Sequence, residues 1–355
     1  MAASDVVEVA FVVPASGPSG IYGPSCSASG ALAVAEINAA GGLLGRELRI
    51  RPVDGGRPPA VVAGEVAGLV ERGAVSGVTG WHTSAVRRRI AARLAGAVPY
   101  VYTAVYEGGE RSPGVYLTGE TPSAQLLPAM RWMAQERGVR SWVVVGNDYV
   151  WPRESAGAAR GFAELLGVEI RDEVFVPLGS ADYRQVLERV RRSRARGVLM
   201  FLLGSDASRF NRAFAAMRLD EQCVRLSPLM DENMLMASGP GDTTELYSAA
   251  GYFESLGSAH GLDFERRYVG RFGARAPALT SPGESCFEGM TLLARLADAA
   301  RSTDVARIDA VAESVGYDGP RGSVRIHDQH LVQNIYLARA DGFAFDVLAE
   351  IHAGT

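Results

Sequence analysis

Short apolar segments alternate along the chain with longer segments in which apolar residues recur at helical spacing. Val6 to Pro14 is almost continuously apolar, as expected of a strand that is buried on both faces. Ser25 to Asn38 has helical periodicity, and the pair Gly41-Gly42 ends that helix. The pattern predicts strands at residues 6–14, 47–53, 75–79 and 98–102 and helices at residues 25–38, 59–72 and 84–95.

The same alternation begins again after Glu120. It predicts helices at residues 123–137, 154–166 and 183–195 and strands at residues 141–146, 168–176 and 197–203. Alternating strands and helices are typical of a parallel sheet with helices on both faces. Two such sets in 355 residues predict an α/β protein of two doubly wound parallel-sheet lobes.

Sheets of this kind bind ligands beyond the carboxyl ends of their strands. Two lobes present two such edges, so the pattern predicts a ligand cleft between the lobes. The candidate binding residues therefore lie in the loops that follow the predicted strands.

Charge and composition argue against several other functions. The formal net charge is -4, and the 36 basic residues, all of them arginines, are interspersed with 40 acidic residues, so direct binding of nucleic acid is not predicted. The three cysteines are isolated, with no histidine at ligand spacing, which argues against a zinc site and a disulfide framework. We predict no metal and no other cofactor.

The sequence also lacks motifs for catalysis. It contains neither a Gly-x-Ser-x-Gly elbow nor a His-Glu-x-x-His helix, and a phosphate-binding loop that ends in lysine requires a residue type that the chain does not have. His327 and His330 have a spacing compatible with metal binding, but their surroundings predict a strand and a loop. We therefore expect a binding protein that is not an enzyme.

The first residues bear on localisation. The segment MAASDVVEVAFVV enters a strand almost directly and has neither a basic n-region nor a cleavage site, so the sequence as it stands predicts a cytoplasmic protein. If a signal peptide had been removed, the protein would instead be periplasmic or located at the cell surface. No apolar run in the sequence approaches the roughly 20 residues that a membrane-spanning helix needs.

Three segments resemble those of a known family. Gly17 to Leu48 looks like the first strand-helix-strand segment of the type I periplasmic-type binding proteins for branched-chain amino acids and amides. VYEGGERSPGVY, Val105 to Tyr116, and GNDYVWPRESAG, Gly146 to Gly157, resemble the cytoplasmic amide sensor that acts as negative regulator of bacterial aliphatic amidase operons, and related urea and short-chain-amide transport proteins. The similarity extends through nearly the whole chain and is weaker from Met230 to Gly261.

In that family the chain passes between the lobes three times. The resemblance implies crossings near Gly119 to Pro122, near Gly251 to Tyr252 and near Val324 to His327. It thereby implies a lobe 1 of residues 1–120 and 252–325 and a lobe 2 of residues 121–251 and 326–355. Proteins of this shape often pair through lobe 1, and a homodimer stays an open alternative.

The resemblance implies ligand contacts at two strand ends of lobe 1. Ser84 begins a helix, where its hydroxyl and nearby N–H groups can bind an amide or carboxylate oxygen, and helix capping by Ser84 is a compatible role. The amide sensor has Tyr at the position of His82 and Thr at that of Ala104, which implies a different or somewhat larger ligand. A core role for Tyr102 stays open. The candidates are His82, Thr83, Ser84, Tyr102, Thr103 and Ala104.

In lobe 2, the resemblance assigns a cleft motif to Asp148 and Tyr149. Tyr149 can stack on a planar amide, with Trp151 as part of the wall and Asp148 supporting it. Tyr106 and Glu107 are predicted to orient ligand-binding groups, although for Glu107 a solvated turn carboxylate is an equal alternative.

Two acidic residues in lobe 2 bear on the class of ligand. Amino-acid binders of this family place an acid near Asp231 and Glu232 to hold an ammonium group, whereas the alternative is an exposed acid at a helix start. Tyr252 either contacts the ligand or packs at a crossing. The neighbouring Met230, Met234 and Met236 are predicted to be core residues.

The fold alone does not decide the function. Our first hypothesis is an amide-type sensor whose closure on a short-chain amide changes its affinity for a regulatory protein partner. The alternative is the solute-binding component of an ABC uptake transporter for amides, urea or amino acids, which docks on a membrane permease. Hydrolysis of an amide is disfavoured because no nucleophile and base are found.

Overall fold

The chain forms two compact units in a computed structural model that describes residues 5–352. Unit 1 comprises Met1–Ala104, Gly109–Gly119 and Gly257–Gln333, and unit 2 comprises Val105–Gly108, Glu120–Leu256 and Asn334–Thr355. The first four residues, on which the prediction about a leader partly depends, lie outside the described residues.

Strands and helices alternate through most of the chain, as the pattern predicts. The strands are β1 (Val6–Val13), β2 (Glu47–Asp54), β3 (Val78–Gly80), β4 (Tyr100–Tyr102), β5 (Val115–Leu117), β6 (Ser141–Asn147), β7 (Glu169–Val176), β8 (Gly197–Phe201), β9 (Val224–Ser227), β10 (Leu246–Ala250), β11 (Gly316–Gly319), β12 (Gly322–His327), β13 (His330–Val332), β14 (Ile335–Asp341) and β15 (Ala344–Ile351). The helices are α1 (Gly23–Ala39), α2 (Pro59–Glu71), α3 (Ser84–Leu94), α4 (Pro122–Glu136), α5 (Val150–Leu166), α6 (Arg184–Ser193), α7 (Ser205–Ala216), α8 (Glu232–Ser238), α9 (Ala259–Phe272), α10 (Ser281–Ala300) and α11 (Val305–Asp309).

The sheet of unit 1 is mostly parallel. Within the described residues its strand order is β11-β12-β13-β5-β4-β3-β1-β2. Strands β1 to β5 pair in parallel, and β13 joins β5 in parallel, whereas β11 and β12 pair antiparallel. The apolar residues of β1 after Val6 are buried, and Gly30 of α1 lies so close to the Phe11 ring that a Cβ there would be 2.5 Å from it.

The sheet of unit 2 has the same plan. Its order over the described residues is β15-β14-β10-β9-β8-β6-β7. Strands β6 to β10 pair in parallel, and every residue of β6 and of β8 is buried. Strands β14 and β15 add an antiparallel hairpin beside β10. The predicted class of two doubly wound α/β lobes is confirmed, and the antiparallel strands near the end of the chain extend it.

The implied lobe boundaries differ from those of the two units: residues 105–108 and residue 120 belong to unit 2, and the two later boundaries are shifted along the chain. β12 pairs with β13, and His330 of β13 pairs with Leu117 of β5, so the chain stays in unit 1 up to Gln333 rather than up to residue 325. Residues 252–256 belong to unit 2, where the Glu254 N–H donates to Glu232 Oε1 and the Ser255 hydroxyl donates to the Phe345 carbonyl.

Some elements begin or end away from their predicted positions. α5 begins at Val150 rather than at Glu154, because Tyr149 adopts an extended N-cap conformation and Pro152 is tolerated in the first turn of a helix. β3 begins at Val78 rather than at Val75. Among residues 5–352, no helix is long and apolar enough to cross a membrane.

Gly80 ends β3 and directs the chain into the loop that precedes α3. Its φ is +133°, a value that residues with a side chain rarely adopt, and a Cβ at this position would lie 2.3 Å from the Val12 carbonyl oxygen. The site loop of unit 1 therefore depends on a glycine at this position.

We expect Gly80→Ala to lower the free energy of unfolding by about 2 kcal/mol or more, since backbone strain and overpacking add. Urea unfolding measures this loss. The matched control is Gly138→Ala, at φ +64° with open space around the Cβ, for which we expect about 1 kcal/mol. An equal loss in both variants would contradict the close approach to Val12.

Candidate functional site

The imidazole of His82 is held inside unit 1. Its Nδ1 lies 3.0 Å from the Val12 carbonyl oxygen and its Nε2 lies 2.5 Å from the Tyr100 hydroxyl. A carbonyl only accepts, so Nδ1 carries the proton and Nε2 accepts from Tyr100. Burial lowers the pKa of His82 to about 3, which keeps the ring neutral. Both ring nitrogens are engaged, so we remove the His82 imidazole from the candidate ligand contacts.

Tyr102 supports the same loop. Its hydroxyl donates to the His82 carbonyl oxygen at 2.7 Å, and its side chain is fully buried. The guanidinium of Arg87 lies 5.4 Å from the Tyr102 ring and 3.4 Å from the Glu110 carboxylate. Tyr102 therefore fixes the loop before α3, which is the core role left open by the sequence.

Ser84 offers a buried hydroxyl at the start of α3. The N-cap of this helix is Thr83 rather than Ser84, and Thr83 makes no side-chain capping hydrogen bond. The Ser84 Oγ is buried and has no hydrogen-bond partner within residues 5–352. A hydroxyl of this kind, next to the N–H groups and positive dipole end of a helix, can bind a ligand oxygen.

Thr103 and Ala104 contribute no polar group at this edge. Thr103 Oγ1 lies 3.9 Å from Cys286 Sγ, and a Cβ on Gly289 would lie 2.2 Å from Thr103 Cγ2. The Thr103 side chain thus faces α10, and Ala104 is buried. Of the candidates in unit 1, Ser84 and its helix start keep the best geometry for a ligand.

In unit 2, Tyr149 is half-buried at the N-cap of α5, and its ring centre lies 6.3 Å from that of Trp151. Asp148 instead points to solvent, where it forms an ion pair of 2.8 Å with Arg153, so its predicted support of Tyr149 is not found. Trp151 is buried and meets Phe201 edge-on at 5.9 Å. These rings form an apolar wall at the carboxyl ends of β6 and β8.

A small gap, too narrow to hold a water molecule, lies behind this wall. Gln125, which lines this gap, donates to the Pro228 carbonyl at 2.7 Å, and Ser155 Oγ has no hydrogen-bond partner in the described part of the chain. Ser155 was missed by the sequence reasoning, although it lies one helical turn after Trp151 on the same face of α5. The lining residues are Val105, Pro122, Gln125, Leu126, Trp151, Ser155, Phe201 and Pro228.

Asp231 and Glu232 form a buried acidic pair at the carboxyl end of β9. Asp231 caps α8, its Oδ1 accepting from the Met234 N–H at 2.9 Å, and Glu232 Oε1 accepts from the Glu254 N–H at 3.0 Å. Their other oxygens, Oδ2 and Oε2, have no hydrogen-bond partner among residues 5–352. The side chains are only 2% and 3% exposed, so the alternative of an exposed helix-start acid is wrong.

Burial dominates the electrostatics of this pair. Desolvation raises the pKa of Asp231 to about 7, and desolvation together with the Asp231 charge raises the pKa of Glu232 to about 8. Two carboxyls with raised pKa values and one unused oxygen each make this position a candidate binding site for a charged or polar ligand.

The segments around Tyr106 and Tyr252 are joined by hydrogen bonds. The Tyr106 N–H donates to the Glu120 carbonyl at 3.0 Å, and Glu120 Oε1 accepts from the Gly251 N–H at 2.7 Å. Both tyrosines are fully buried, whereas Glu107 is half-buried. Tyr252 directly follows this junction and β10, which agrees with a packing role.

Asn147 is a further residue that the sequence reasoning missed. It ends β6, donates to Asp206 Oδ2 at 2.8 Å and accepts from the Leu203 N–H at 2.8 Å. Asp206 also accepts from the Gly179 N–H, and burial raises its pKa. An asparagine at the end of an otherwise apolar strand was the available signal. Of the nearby methionines, Met230 and Met234 are buried as predicted, but Met236 is 47% exposed.

No group of three or more His, Cys, Asp or Glu among the described residues could hold a metal ion. Among the site residues predicted from the sequence, Ser84 in unit 1 and Asp231 and Glu232 in unit 2 have buried oxygen atoms without a hydrogen-bond partner in residues 5–352. Each unit thus presents hydrogen-bonding or charged groups at the carboxyl edge of its sheet, which is the arrangement of a ligand-binding protein.

Residues 6–344 match the periplasmic binding protein family, and the chain belongs to this family. It is therefore a ligand-binding protein rather than an enzyme, as expected from the sequence.

Relatives and solved structures agree with the family. A Leu/Ile/Val-binding protein homologue of Brucella abortus is 26% identical over 245 residues, which are 65% of this chain and 61% of that protein. The branched-chain amino-acid binding protein of Streptococcus pneumoniae, solved with isoleucine, has a TM-score of 0.84 at 19% identity and covers 98% of this chain and 99% of its own. A solute-binding protein from Rhodopseudomonas palustris, solved with p-hydroxybenzoic acid, has a TM-score of 0.87 at 21% identity, covering 99% and 98%.

The acidic pair makes stability depend on pH in the ligand-free protein. Both folded-state pKa values lie above the ordinary values, so the folded state holds more protons than the unfolded state, and stability falls as pH rises from about 4 to about 8. The doubly substituted Asp231→Asn, Glu232→Gln protein lacks this loss. Between pH 5 and pH 8, we expect the wild type to lose about 3 kcal/mol or more of its free energy of unfolding relative to the double variant.

Urea unfolding at the two pH values checks this expectation. Asp304→Asn is the matched control, because Asp304 is also an N-cap, of α11, but is exposed. A difference between the double variant and the wild type that stays constant with pH would show that the two carboxyls are not desolvated.

Proposed function

We propose that this protein is the solute-binding component of an ABC uptake transporter and that its ligand is an amino acid with an apolar side chain. The observation that carries the proposal is the buried pair Asp231 and Glu232, each with one carboxylate oxygen that no residue among 5–352 satisfies. This is the alternative function of the sequence analysis, and it takes precedence here over the amide sensor.

The buried carboxyls of Asp231 and Glu232 favour a ligand with a cationic group. Two carboxyls removed from water lose their hydration, and the N–H groups of Asn233, Met234 and Glu254 replace only part of it. An ammonium group donates three hydrogen bonds and supplies the opposite charge, so it satisfies both Oδ2 and Oε2. Urea and simple amides carry no such charge.

Considered by itself, unit 1 offers donors that suit a carboxylate. Ser84 Oγ and the first N–H groups of α3 are donors at the positive end of a helix dipole. For the side chain, the half-buried ring of Tyr149, which lies 6.3 Å from the ring of the buried Trp151, offers an aromatic surface. The named ligands of two relatives, branched-chain amino acids, have this combination of charged ends and apolar body.

An amide sensor is the second candidate function, and the raised pKa values of Asp231 and Glu232 favour it. With a pKa of about 8, Glu232 is largely protonated at neutral pH and can donate to an amide oxygen. The two hypotheses therefore predict opposite pH dependence. An ammonium ligand binds the ionised pair and gains affinity as pH rises, whereas a neutral amide that accepts from a protonated carboxyl loses affinity.

The partner and the location that we propose both follow from the transporter hypothesis. The partner is a membrane permease rather than a regulatory protein, and the protein acts outside the cytoplasmic membrane rather than in the cytoplasm. Pairing of two copies through unit 1 is not required by this function.

We expect calorimetry to detect binding of leucine or isoleucine, with affinity that rises by up to about tenfold per pH unit from pH 6 to pH 7 and with release of protons. Asp231→Asn keeps an N-cap acceptor for α8 but removes the charge, so it should weaken Kd by about 30-fold or more. Asp304→Asn should leave Kd unchanged.

Acetamide, propionamide and urea belong in the same series. Selective binding of an amide, weaker at pH 8 than at pH 6, would overturn the amino-acid proposal in favour of the sensor. Amino-acid binding without pH dependence would keep the ligand class but remove Asp231 and Glu232 from its recognition.

A further inference from the structure

A cavity of about 280 Å³ lies at the opposite edge of the unit 2 sheet, at the amino ends of β8 and β9. Three arginines line it, together with Glu221, Gln222 and Cys223. The arginines come from the end of α6 and the residues that lead into β8: Arg191, Arg194 and Arg196. All three are exposed, so the cavity is open to solvent.

Two of the three arginines that line this cavity lack an ion-pair partner within the described residues. Arg191 pairs with Glu188 at 3.0 Å, but Arg194 and Arg196 have no carboxylate partner among residues 5–352. The lining carboxylate, Glu221, is paired with Arg218 instead. The Cys223 thiol adds no negative charge, because burial raises its pKa to about 11.

A second cavity in the same unit shows the contrasting arrangement. It has about 380 Å³ and is lined by Arg160 and Arg171 with several acidic residues. Arg160 pairs with Glu173 at 2.7 Å, and Arg171 pairs with Glu169 at 2.9 Å. The two cavities therefore differ: the arginines of the second cavity are paired with carboxylates, whereas, in the described part of the chain, Arg194 and Arg196 of the first are not.

The backbone that carries Arg194 is fixed. Arg194 ends α6 in a left-handed conformation, with φ +53°. The Arg171 guanidinium donates to the Ser193 carbonyl at 3.1 Å and to the Arg194 carbonyl at 2.6 Å. The Arg196 N–H donates to the Ser141 carbonyl at 3.0 Å. Both unpaired side chains therefore start from ordered backbone, which reduces the entropy lost on binding.

We propose that this cavity binds a phosphate-type oxyanion, held by the guanidinium groups of Arg194 and Arg196. Guanidinium groups match the geometry of phosphate oxygens and can form paired hydrogen bonds to them. Inorganic phosphate and the phosphodiester of an anionic lipid share this chemistry. The site lies at the edge of the sheet opposite to Asp231 and Glu232, so the proposal does not depend on the nature of the solute.

Titration of the full chain with inorganic phosphate at low ionic strength, followed by the backbone amide signals of residues 194–196 and 222–223, tests this site. We expect saturable shifts with a Kd of the order of 1 mM and weaker binding at higher salt. The double variant Arg194→Gln, Arg196→Gln should weaken Kd by about tenfold or more. Arg160→Gln, in the cavity with paired arginines, is the control and should leave Kd unchanged.

Vesicles of phosphatidylcholine, with and without roughly 30% phosphatidylglycerol, distinguish the two sources of the anion. Sedimentation with the anionic vesicles alone, lost in the double variant, identifies a lipid head group. Saturable phosphate binding without sedimentation identifies a free oxyanion. Binding of neither probe, or equal Kd values in the double variant and the wild type, overturns the proposal, whereas leucine binding in the double variant reports separately on the proposed solute site.

Discussion

Parallel strand pairing is the constraint on which the rest of this structure depends. A strand that pairs in parallel with its neighbour must be followed by a connection that returns along the sheet, so successive strands end at the same edge. In unit 1 this brings the loop after Gly80 beside Tyr102, and in unit 2 it brings the residues after β6, β8 and β9 together. Within each unit, residues far apart in sequence become one candidate site because their backbones share an edge, and the opposite edge of the sheet is left for a different use.

The two edges of unit 2 treat charge in opposite ways. At the carboxyl edge, Asp231 and Glu232 are buried with unsatisfied oxygens, and the fold bears a desolvation cost that a ligand can relieve. At the amino edge, Arg194 and Arg196 stay hydrated, so they cost little in the free protein and attract anions mainly through long-range charge. The first arrangement favours selectivity, and the second favours weak, salt-sensitive association.

The sequence predicted the architecture well because strand and helix periodicity are local properties. The two sets of alternating elements and the loops that carry the site all follow from them. It predicted individual side chains less well, because their roles depend on partners distant in sequence. His82 precedes a helix as expected, but Val12 and Tyr100 engage its ring, and Ser84 is displaced from the cap by Thr83. Likewise, no local pattern distinguishes a buried Asp231 from an exposed one.

The position of β13 has a consequence for how the chain folds during synthesis. His330 pairs with Leu117 of β5, so one sheet contains partners more than 200 residues apart. Strands β6 to β10, by contrast, are consecutive in the sequence, and no segment of unit 1 interrupts them. While the chain emerges from the ribosome, the parallel part of unit 2 can therefore assemble before unit 1 has received its last strands. Until then β5 presents an unpaired edge, which is exposed to pairing with other chains.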